Sequence, residues 1–187
     1  INGIPMIVRT YRQCLKVVKS EKIIVATESN KIKKVCDKYS IKSIITSDKC
    51  LTGTDRVAEV SKKINANLYI NVQGDEPFFN PYDLKKLINF SLKNPKEIVN
   101  GYTEIRDEKL YRNSSIPKVI FDKNNNLLYI SRGQIPSSKD KKFNKAWRQV
   151  CAYSFPKKLL KIFSQNKKKT PIESIEDIEI LRFLELG

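Results

Sequence analysis

The feature of this sequence that most constrains its fold is the alternation, over the first half, of short apolar segments with amphipathic segments of helical period. The apolar segments predict buried strands at residues 22–27, 43–46 and 68–72. The amphipathic segments predict helices at residues 6–18, 30–39, 54–64 and 81–93, the second of them capped by Asn30. Strands that are nearly all apolar and are separated by helices are typical of a parallel sheet covered by helices on both faces. We therefore predict an α/β fold.

The second half of the chain is richer in strands. Strands are predicted at residues 98–105, 118–122, 127–131 and 150–155, with a hairpin turn rich in Asn and Lys at 122–126. A last helix is predicted at residues 172–186, opened by Thr170 and Pro171 and ended by Gly187. We expect one domain over residues 1–187, within which residues 98–155 form a sheet extension or a small strand-rich lobe for dimer contacts.

The formal net charge of +16, from 36 Lys and Arg against 20 Asp and Glu, has two interpretations. One is a surface for nucleic acid or another polyanion. The other is a Lys-, Ile- and Asn-rich amino-acid usage that places charge on every exposed face. The second is favoured, because the positive charge is mostly Lys, is spread along the chain and accompanies no recognised nucleic-acid-binding motif. We therefore expect no nucleic-acid partner.

The cysteines and the apolar segments bear on the cellular compartment. Cys14, Cys36, Cys50 and Cys151 are widely spaced and form no C-x-x-C pair, so reduced thiols are expected. A zinc site is not expected, because the sequence contains no His. No apolar run reaches the ~20 residues needed to span a bilayer, and the first residues do not resemble a signal peptide. We predict a cytoplasmic protein without membrane insertion.

The segment at residues 71–77, Asn-Val-Gln-Gly-Asp-Glu-Pro, carries the most chemical information. The predicted strand 68–72 delivers it to the edge of the sheet where ligands bind in α/β folds. Gly74 permits a tight turn, and the adjacent carboxylates of Asp75 and Glu76 offer hard oxygen ligands of the kind Mg²⁺ takes. An acidic loop that only caps the next helix explains the same residues, and the segment by itself leaves both interpretations open.

A second candidate segment runs from Leu51 to Arg56. Gly53 and Thr54 at the start of a helix offer backbone N–H groups to an anion, and Arg56 could pair with a phosphate or a base edge. An ordinary helix cap, with Thr54 satisfying the first turn, explains the motif equally simply. Taken alone, this motif favours the cap.

Several segments occur together in one order and spacing: Asn2-Gly3 with Pro5-Met6-Ile7, residues 53–56 with 58–60, residues 71–77, residues 117–120, residues 128–132 with Ile135-Pro136, and residues 170–173 with 179–182 and Leu184-Glu185. Together they resemble one family, the 3-deoxy-manno-octulosonate cytidylyltransferases, also called CMP-KDO synthetases. The resemblance extends over essentially the whole chain.

The resemblance implies a nucleotidyltransferase fold, a Rossmann-like three-layer α/β sandwich with a mainly parallel sheet. It also implies a Mg²⁺-dependent homodimer that couples CTP to an acidic sugar for lipopolysaccharide biosynthesis. In such enzymes the anomeric hydroxyl of the sugar attacks the α-phosphorus of CTP and releases pyrophosphate. Catalysis then comes from positioning and charge neutralisation, without a covalent enzyme intermediate.

The resemblance also assigns roles to individual residues. Asp75 is the Mg²⁺ ligand and a catalytic residue, and the nucleotide-binding residues are Gly53, Thr54, Arg56 and Gln73. Arg132 is a catalytic residue that holds the sugar carboxylate, because a guanidinium matches a carboxylate in two parallel hydrogen bonds. The other sugar-binding residues are Gln149, Tyr153 and Glu179. A surface salt bridge remains an alternative for Arg132, and a solvated helix position paired with Arg182 remains one for Glu179.

The sequence also departs from the family pattern. It starts after the family's basic nucleotide loop and stops before a second metal-binding Asp, so we expect a fragment that does not turn over by itself. Gln149 stands where the family commonly has His, and Ile180 stands where it often has Gln. These changes favour an amino-substituted octulosonate or a related acidic sugar. A non-catalytic nucleotide-sugar-binding homologue is the alternative function, and a basic nucleic-acid binder is a weaker one.

Overall fold

The computed structural model describes residues 2–187 and divides the chain into two compact units. The first unit comprises the chain up to Val99 together with Cys151–Lys167, and the second comprises Asn100–Val150 and Lys168–Gly187. Neither unit is continuous in sequence, because the chain passes from one to the other three times. A single domain with a strand-rich lobe at residues 98–155 stays a prediction.

Helices and strands alternate in the first half of the chain, and strands dominate from Val99 to Pro156. The helices are α1 (Met6–Leu15), α2 (Asn30–Lys38), α3 (Gly53–Lys63), α4 (Pro81–Lys93), α5 (Glu108–Arg112), α6 (Lys157–Gln165), α7 (Pro171–Glu176) and α8 (Leu181–Leu186). The strands are β1 (Val25–Thr27), β2 (Ser43–Ile45), β3 (Leu68–Val72), β4 (Val99–Ile105), β5 (Lys118–Phe121), β6 (Leu127–Ser131) and β7 (Ala146–Pro156). None of the helices described for residues 2–187 combines the length and apolar character needed to cross a bilayer.

In the first unit, every predicted helix and strand is present, with small changes at the ends. The cap of α2 is Ser29, whose hydroxyl accepts a hydrogen bond from the Ile32 amide, and not Asn30 as the sequence suggested. Helix α1 ends at Leu15, three residues early, and β1 begins only at Val25 because a short 3₁₀ turn occupies Ser20–Lys22. Helix α6 was not predicted.

The strands of the first unit pair in two ways. Strand β1 runs parallel to β2, with Val25 opposite Ser43 and Thr27 opposite Ile45. Strand β3 runs antiparallel to residues 152–156 of β7. A buried cluster under α1 and α2 is formed by Val8, Val25, Cys36 and Ile41. This core fixes the position of the strand ends from which the candidate site extends.

The second unit is built from antiparallel strands. Strand β5 pairs with β6 in the register Lys118 opposite Ser131, and the predicted hairpin turn between them is confirmed. In that turn the Asp122 carboxylate accepts hydrogen bonds from the amides of Asn124 and Asn126. On the other side of β5, Lys118 lies opposite Arg148 of β7, and β4 also pairs with β7. Tyr102 stacks on Phe121 with ring centroids 4.3 Å apart, and Phe121 meets Trp147 edge to face at 5.0 Å.

The prediction of one continuous last helix at residues 172–186 is wrong. The helix breaks at Asp177, which has a left-handed backbone with φ 51° and ψ 48°. The carbonyl oxygens of Glu176 and Asp177 accept hydrogen bonds from the Arg132 guanidinium, at 2.6 and 3.1 Å. Asp is among the residues that adopt this conformation at tolerable cost, so α7 ends there and α8 restarts at Leu181.

Candidate functional site

Arg56 lies at the carboxyl ends of the two parallel strands of the first unit. Its guanidinium donates to the Thr46 hydroxyl, just after β2, at 2.6 Å, and pairs with the Glu28 carboxylate, just after β1, at 2.7 Å. The arginine side chain is 19% exposed. In α/β folds this strand end is the usual position of the ligand. The structure therefore places a partly exposed cation where the sequence predicted a nucleotide-binding residue.

At the start of α3, the residue that caps the helix is not the one that the sequence predicted. The cap is Thr52 rather than Thr54: its hydroxyl accepts from the Asp55 amide at 3.2 Å and donates to the Asp55 carboxylate at 2.8 Å. Thr54 is completely buried, because it lies on the face of α3 that packs inward. Gly53 is the first helical residue, and its backbone is exposed at the N-terminus of α3.

Glu59, to which the sequence analysis assigned no role, organises the loop before α3. Its carboxylate accepts from the Ser47 amide at 2.9 Å, from the Cys50 thiol at 3.4 Å and from the Lys63 ammonium at 3.1 Å. The Ser47 amide is the main reason why the pKa of Glu59 lies below its ordinary value. Burial, with a smaller contribution from Glu59, raises the pKa of the Cys50 thiol to about 11. The thiol is therefore protonated at neutral pH.

The turn after β3 is held in place by α1. The Thr10 hydroxyl of α1 donates to the Gly74 carbonyl at 2.9 Å, and a Cβ at Gly74 would lie 3.1 Å from Cδ1 of Ile7. Within the turn, the Glu76 amide donates to the Gln73 carbonyl at 3.2 Å. Gln73 is half-buried, whereas Asp75 and Glu76 are both exposed. A side chain at position 74 would therefore require Cδ1 of Ile7 to move by about a few tenths of an ångström.

The donors available for a metal ion are the carboxylates of this turn. Within the described part of the chain, no three or more His, Cys, Asp and Glu side chains gather into a metal-binding group. Asp75 and Glu76 supply adjacent, exposed carboxylate oxygens at the end of β3. Such oxygens fit Mg²⁺, which commonly takes one or two protein carboxylates and completes its shell with phosphate oxygens and water.

Tyr153 lies in the first unit, on the part of β7 that pairs with β3. It stands directly opposite Asn71, is 3% exposed and stacks on Phe155 with ring centroids 5.8 Å apart. The Nδ2 atom of Asn71 is buried without a hydrogen-bond partner among residues 2–187. Asn71 is the first residue of the segment 71–77, but nothing in the sequence pattern gave a reason to assign it a role.

Arg132 follows β6 in the second unit, and most of its guanidinium is engaged by the protein. Its Nε donates to the Glu176 carbonyl at 2.6 Å, and its terminal nitrogens donate to the carbonyls of Ser114 at 3.2 Å and Asp177 at 3.1 Å. A guanidinium has five N–H donors, so two remain. The side chain is 35% exposed, which leaves part of it accessible. Its guanidinium also pairs with the Asp177 carboxylate at 3.9 Å, so the salt bridge considered as an alternative is present beside these hydrogen bonds.

The other predicted sugar-binding residues of the second unit have different environments. Gln149 is 5% exposed, and its side-chain amide donates to Asn100 Oδ1 at 3.0 Å. Glu179 lies half-buried between α7 and α8, two residues after the carbonyl of Asp177 that Arg132 contacts.

Ile180, which departs from the family pattern, is 3% exposed and belongs to the buried core. The guanidinium of Arg182 binds the Glu173 carboxylate.

Two further charged residues of the second unit contact Arg132, and the sequence analysis assigned them no role. Glu176 accepts from the Arg132 amide, and Lys118 donates to the Arg132 carbonyl, each at 2.7 Å. Burial lowers the pKa of Lys118, although Glu176 opposes this effect. Burial alone would raise the pKa of Glu176, but hydrogen bonds from Ser131, the Arg132 amide and Tyr129 hold it below its ordinary value. The signal in the sequence that could have pointed to Lys118 is its position, since a charged residue there begins an otherwise apolar strand at residues 118–121.

Comparison with known proteins identifies relatives of the whole chain. The cytidylyltransferase family profile matches residues 1–187. A protein of Protochlamydia amoebophila named 3-deoxy-manno-octulosonate cytidylyltransferase is 33% identical over 195 residues, which cover 100% of this chain and 75% of that protein. A protein of the same name from Francisella philomiragia is 34% identical over 198 residues, covering 100% of this chain and 78% of its own length.

A solved structure agrees with these sequence matches. It is described as CMP:2-keto-3-deoxy-manno-octonic acid synthetase complexed with CTP and superposes on this chain with a TM-score of 0.89 at 29% identity. The superposition covers 99% of this chain and 76% of the other. It confirms the predicted class, an α/β fold of the nucleotidyltransferase type.

Proposed function

The chain belongs to the cytidylyltransferase family, and from that premise we propose that it transfers the CMP group of CTP to 3-deoxy-manno-octulosonate or a closely related acidic sugar. The anomeric hydroxyl of the sugar attacks the α-phosphorus, a new P–O bond forms, and pyrophosphate leaves. The product, a CMP-sugar, is an activated donor for lipopolysaccharide biosynthesis. The observation that carries this proposal is the match over the full chain to relatives named for this reaction.

The first unit binds the nucleotide in this proposal. Arg56 contacts the triphosphate or the base with the guanidinium donors that Thr46 and Glu28 leave available. The N-terminus of α3, with Gly53 and Thr54, adds the favourable end of a helix dipole for an anion. Gln73 lies beside the nucleotide. The packing of α3 against both β1 and β3 supports the placement of these residues in one region.

Asp75 is the proposed Mg²⁺ ligand, with Glu76 adjacent to it. Mg²⁺ bound there would supply positive charge beside the phosphate oxygens, which would favour the departure of pyrophosphate. The exposed position of Asp75 at the end of β3 supports this role, because the carboxylate is accessible to both an ion and a triphosphate. The contact between Thr10 and Gly74 keeps the turn that carries Asp75 in a fixed position.

Arg132 binds the sugar carboxylate in this proposal. The carboxylate is attached to the carbon that bears the attacking hydroxyl, so holding one orients the other. Two N–H donors of Arg132 remain after its contacts to backbone carbonyls, which is the number that a carboxylate pair requires. Gln149, Tyr153 and Glu179 are the proposed contacts to sugar hydroxyls. An amino-substituted sugar stays a prediction based on Gln149 and Ile180.

We also propose a homodimer in the cytoplasm. The second unit exposes large apolar side chains, among them Ile175 at 84% and Leu128 at 58%, and such residues are suited to a protein interface. All four cysteines are free thiols, which is usual in a reducing compartment. Size-exclusion chromatography with light scattering tests the dimer directly.

The proposed reaction is tested with the enzyme produced from its complete reading frame. CTP, the sugar and Mg²⁺ are mixed, pyrophosphate is measured with a coupled assay, and the CMP-sugar is identified by mass spectrometry. We expect equimolar pyrophosphate and CMP-sugar, and none of either when CTP is replaced by ATP. Binding of CTP without turnover of the octulosonate or its amino-substituted form would instead identify a non-catalytic nucleotide-sugar-binding homologue.

A further inference from the structure

We propose that Lys118 and Glu176 are positioning residues for Arg132: they bind its backbone from opposite sides and so fix the direction of its guanidinium. This inference rests on the proposed function, in which Arg132 holds the sugar carboxylate. We call Lys118, Ser131, Arg132 and Glu176 the Arg132 network. All of its members lie in the second unit.

Glu176 holds the amide side of Arg132. Its Oε2 accepts from the Arg132 amide at 2.7 Å, while its Oε1 accepts from the Ser131 hydroxyl at 2.5 Å and the Tyr129 hydroxyl at 3.2 Å. Hydrogen bonds to an ionised carboxylate are about twice as strong as neutral ones. A single side chain from the end of α7 therefore binds Tyr129, Ser131 and the backbone of Arg132 at the end of β6.

Lys118 holds the carbonyl side of Arg132. Its ammonium donates to the Arg132 carbonyl at 2.7 Å, and also to the carbonyls of Asn113 at 3.1 Å and Ile116 at 2.8 Å. An ammonium has three donors, so all of them are occupied within the protein. The Lys118 residue is 0% exposed. It is therefore suited to hold the chain in place and has no donor left for a substrate.

The same α7 terminus also directs the side chain of Arg132. The carbonyls of Glu176 and Asp177 accept from Nε and a terminal nitrogen of the guanidinium, and the left-handed backbone of Asp177 leaves these carbonyls accessible. Glu176 thus contacts the amide of Arg132 with its carboxylate and the guanidinium with its carbonyl. The segment Glu176–Asp177 therefore orients both the backbone and the side chain of Arg132. A shift of this segment would change the direction of the two remaining N–H groups of the guanidinium.

The consequence concerns the reaction rate more than folding. A guanidinium controls the angle of a bound carboxylate, and small misplacements of a reacting group are costly, on the order of 100-fold per ångström. Loss of the Glu176 carboxylate should therefore affect the sugar step and leave CTP binding unchanged. A purely structural role would reduce stability without separating the two substrates.

A matched control exists in the same helix pair. The Glu185 carboxylate of α8 accepts from the amides of Ile172 and Glu173 at 2.9 and 3.0 Å, so it also joins α7 to α8 but does not contact Arg132. Each variant removes a carboxylate that accepts three hydrogen bonds: Glu185 accepts them from residues 170–173, whereas Glu176 accepts them from Tyr129, Ser131 and the Arg132 amide. Glu176→Gln provides a milder variant that keeps the side-chain volume if Glu176→Ala does not fold.

The experiment measures steady-state kinetics with CTP and sugar varied separately, using the enzyme from its complete reading frame. For Glu176→Ala we expect roughly 10- to 100-fold lower kcat/KM for the sugar and an unchanged KM for CTP. We expect Glu176→Gln to recover part of the loss, and Glu185→Ala to change the sugar kcat/KM less than about threefold. Equal sugar kinetics in Glu176→Ala and Glu185→Ala would overturn the proposal.

Hydrogen exchange separates this inference from the proposed function. The Arg132 amide should exchange faster in Glu176→Ala than in Glu185→Ala, measured in a peptide that spans residues 127–133. This result does not depend on which sugar the enzyme uses. If the wild-type enzyme fails to convert the octulosonate, the proposed function is wrong whatever the exchange shows. If it converts the sugar but the Arg132 amide exchanges equally in both variants, the positioning role is wrong.

Discussion

Glu173 and Arg182 form an ion pair in which both side chains are completely shielded from solvent. The guanidinium of Arg182 donates through Nε and a terminal nitrogen to the two oxygens of Glu173, at 2.7 and 2.6 Å. The Thr170 amide donates to the same carboxylate at 3.0 Å. The pair joins α7 to α8 across the break at Asp177, so it holds the two short helices together where the backbone does not.

The first prediction follows from this pair. Glu173→Ala should reduce the free energy of unfolding by about 3–5 kcal/mol, because it removes the carboxylate that binds two donors of a buried guanidinium. The double variant Glu173→Leu with Arg182→Met should lose much less, because it removes both charges from the interior. Urea denaturation followed by circular dichroism measures both. A loss below about 1 kcal/mol in the single variant would show that the pair contributes little.

The second prediction concerns the metal. Asp75→Asn should abolish turnover and leave the thermal unfolding temperature nearly unchanged, because an amide is a poor Mg²⁺ ligand and the residue is exposed. Pyrophosphate release at millimolar Mg²⁺ is the measurement. Asp83→Asn, an exposed carboxylate in the first turn of α4, is the matched control and should retain activity. Wild-type pyrophosphate release by Asp75→Asn would remove Asp75 from the metal site.

The third prediction concerns Arg132. Arg132→Ala should strongly raise the KM for the sugar and lower kcat, with little change in the KM for CTP. Arg132→Lys should recover part of the binding but less of the rate, because Lys offers a charge without angular control. Kinetics with each substrate varied independently distinguish these effects. If Arg132→Ala weakened CTP instead and left the sugar KM unchanged, Arg132 would belong to the nucleotide site.

The fourth prediction concerns Arg56. Arg56→Ala should raise the KM for CTP without changing the KM for the sugar. Arg56→Lys should recover little, because one ammonium cannot readily replace a guanidinium that bridges Thr46 and Glu28 while it contacts a phosphate. Lys62→Ala, an exposed cation on the last turn of α3, is the control for a general loss of positive charge. Equal effects of Arg56→Ala and Lys62→Ala on CTP binding would contradict the assignment.

The fifth prediction concerns acid. The pKa of Glu176 is below its ordinary value of 4.5, because hydrogen bonds from Ser131, Arg132 and Tyr129 outweigh its burial. Its contribution to stability is therefore complete above pH 4.5 and is lost as the pH falls through the lower pKa of the folded state. Urea unfolding between about pH 5 and about pH 3 should show a smaller decrease for Glu176→Gln than for wild type. Parallel pH profiles would contradict this linkage.

The local pattern of the sequence was sufficient to predict most of the first unit. Strands such as Leu68–Val72 are short and apolar, and their flanking helices have clear periodicity, so both could be recognised without tertiary information. The wrong cap residues at α2 and α3 have a local cause. Ser29 and Thr52 precede the polar residues first considered, and several neighbouring side chains could each have capped the helix.

The break at Asp177 could not be predicted from local pattern, because residues 172–186 are compatible with one helix. The carbonyls at that break bind Arg132, whose position lies 45 residues earlier in the chain. The roles of Lys118 and Glu176 have the same origin, since their partners are brought together by the pairing of β5 with β6 and by α7. The resemblance assigned a role to Arg132 itself, but it carried no information on what holds Arg132 in place.

The interleaving of the two units along the chain dictates the order in which they can be completed during synthesis. Translation proceeds from the N-terminus at about 5–20 residues per second. Strand β3 can pair with its antiparallel partner only after residues 152–156 of β7, about 80 residues later, have been synthesised. Glu176, which binds the Arg132 amide, is synthesised only after the last residue of the first unit, Lys167. A nascent chain that pauses between these points therefore contains the residues of the first unit before Arg132 has gained its partner Glu176.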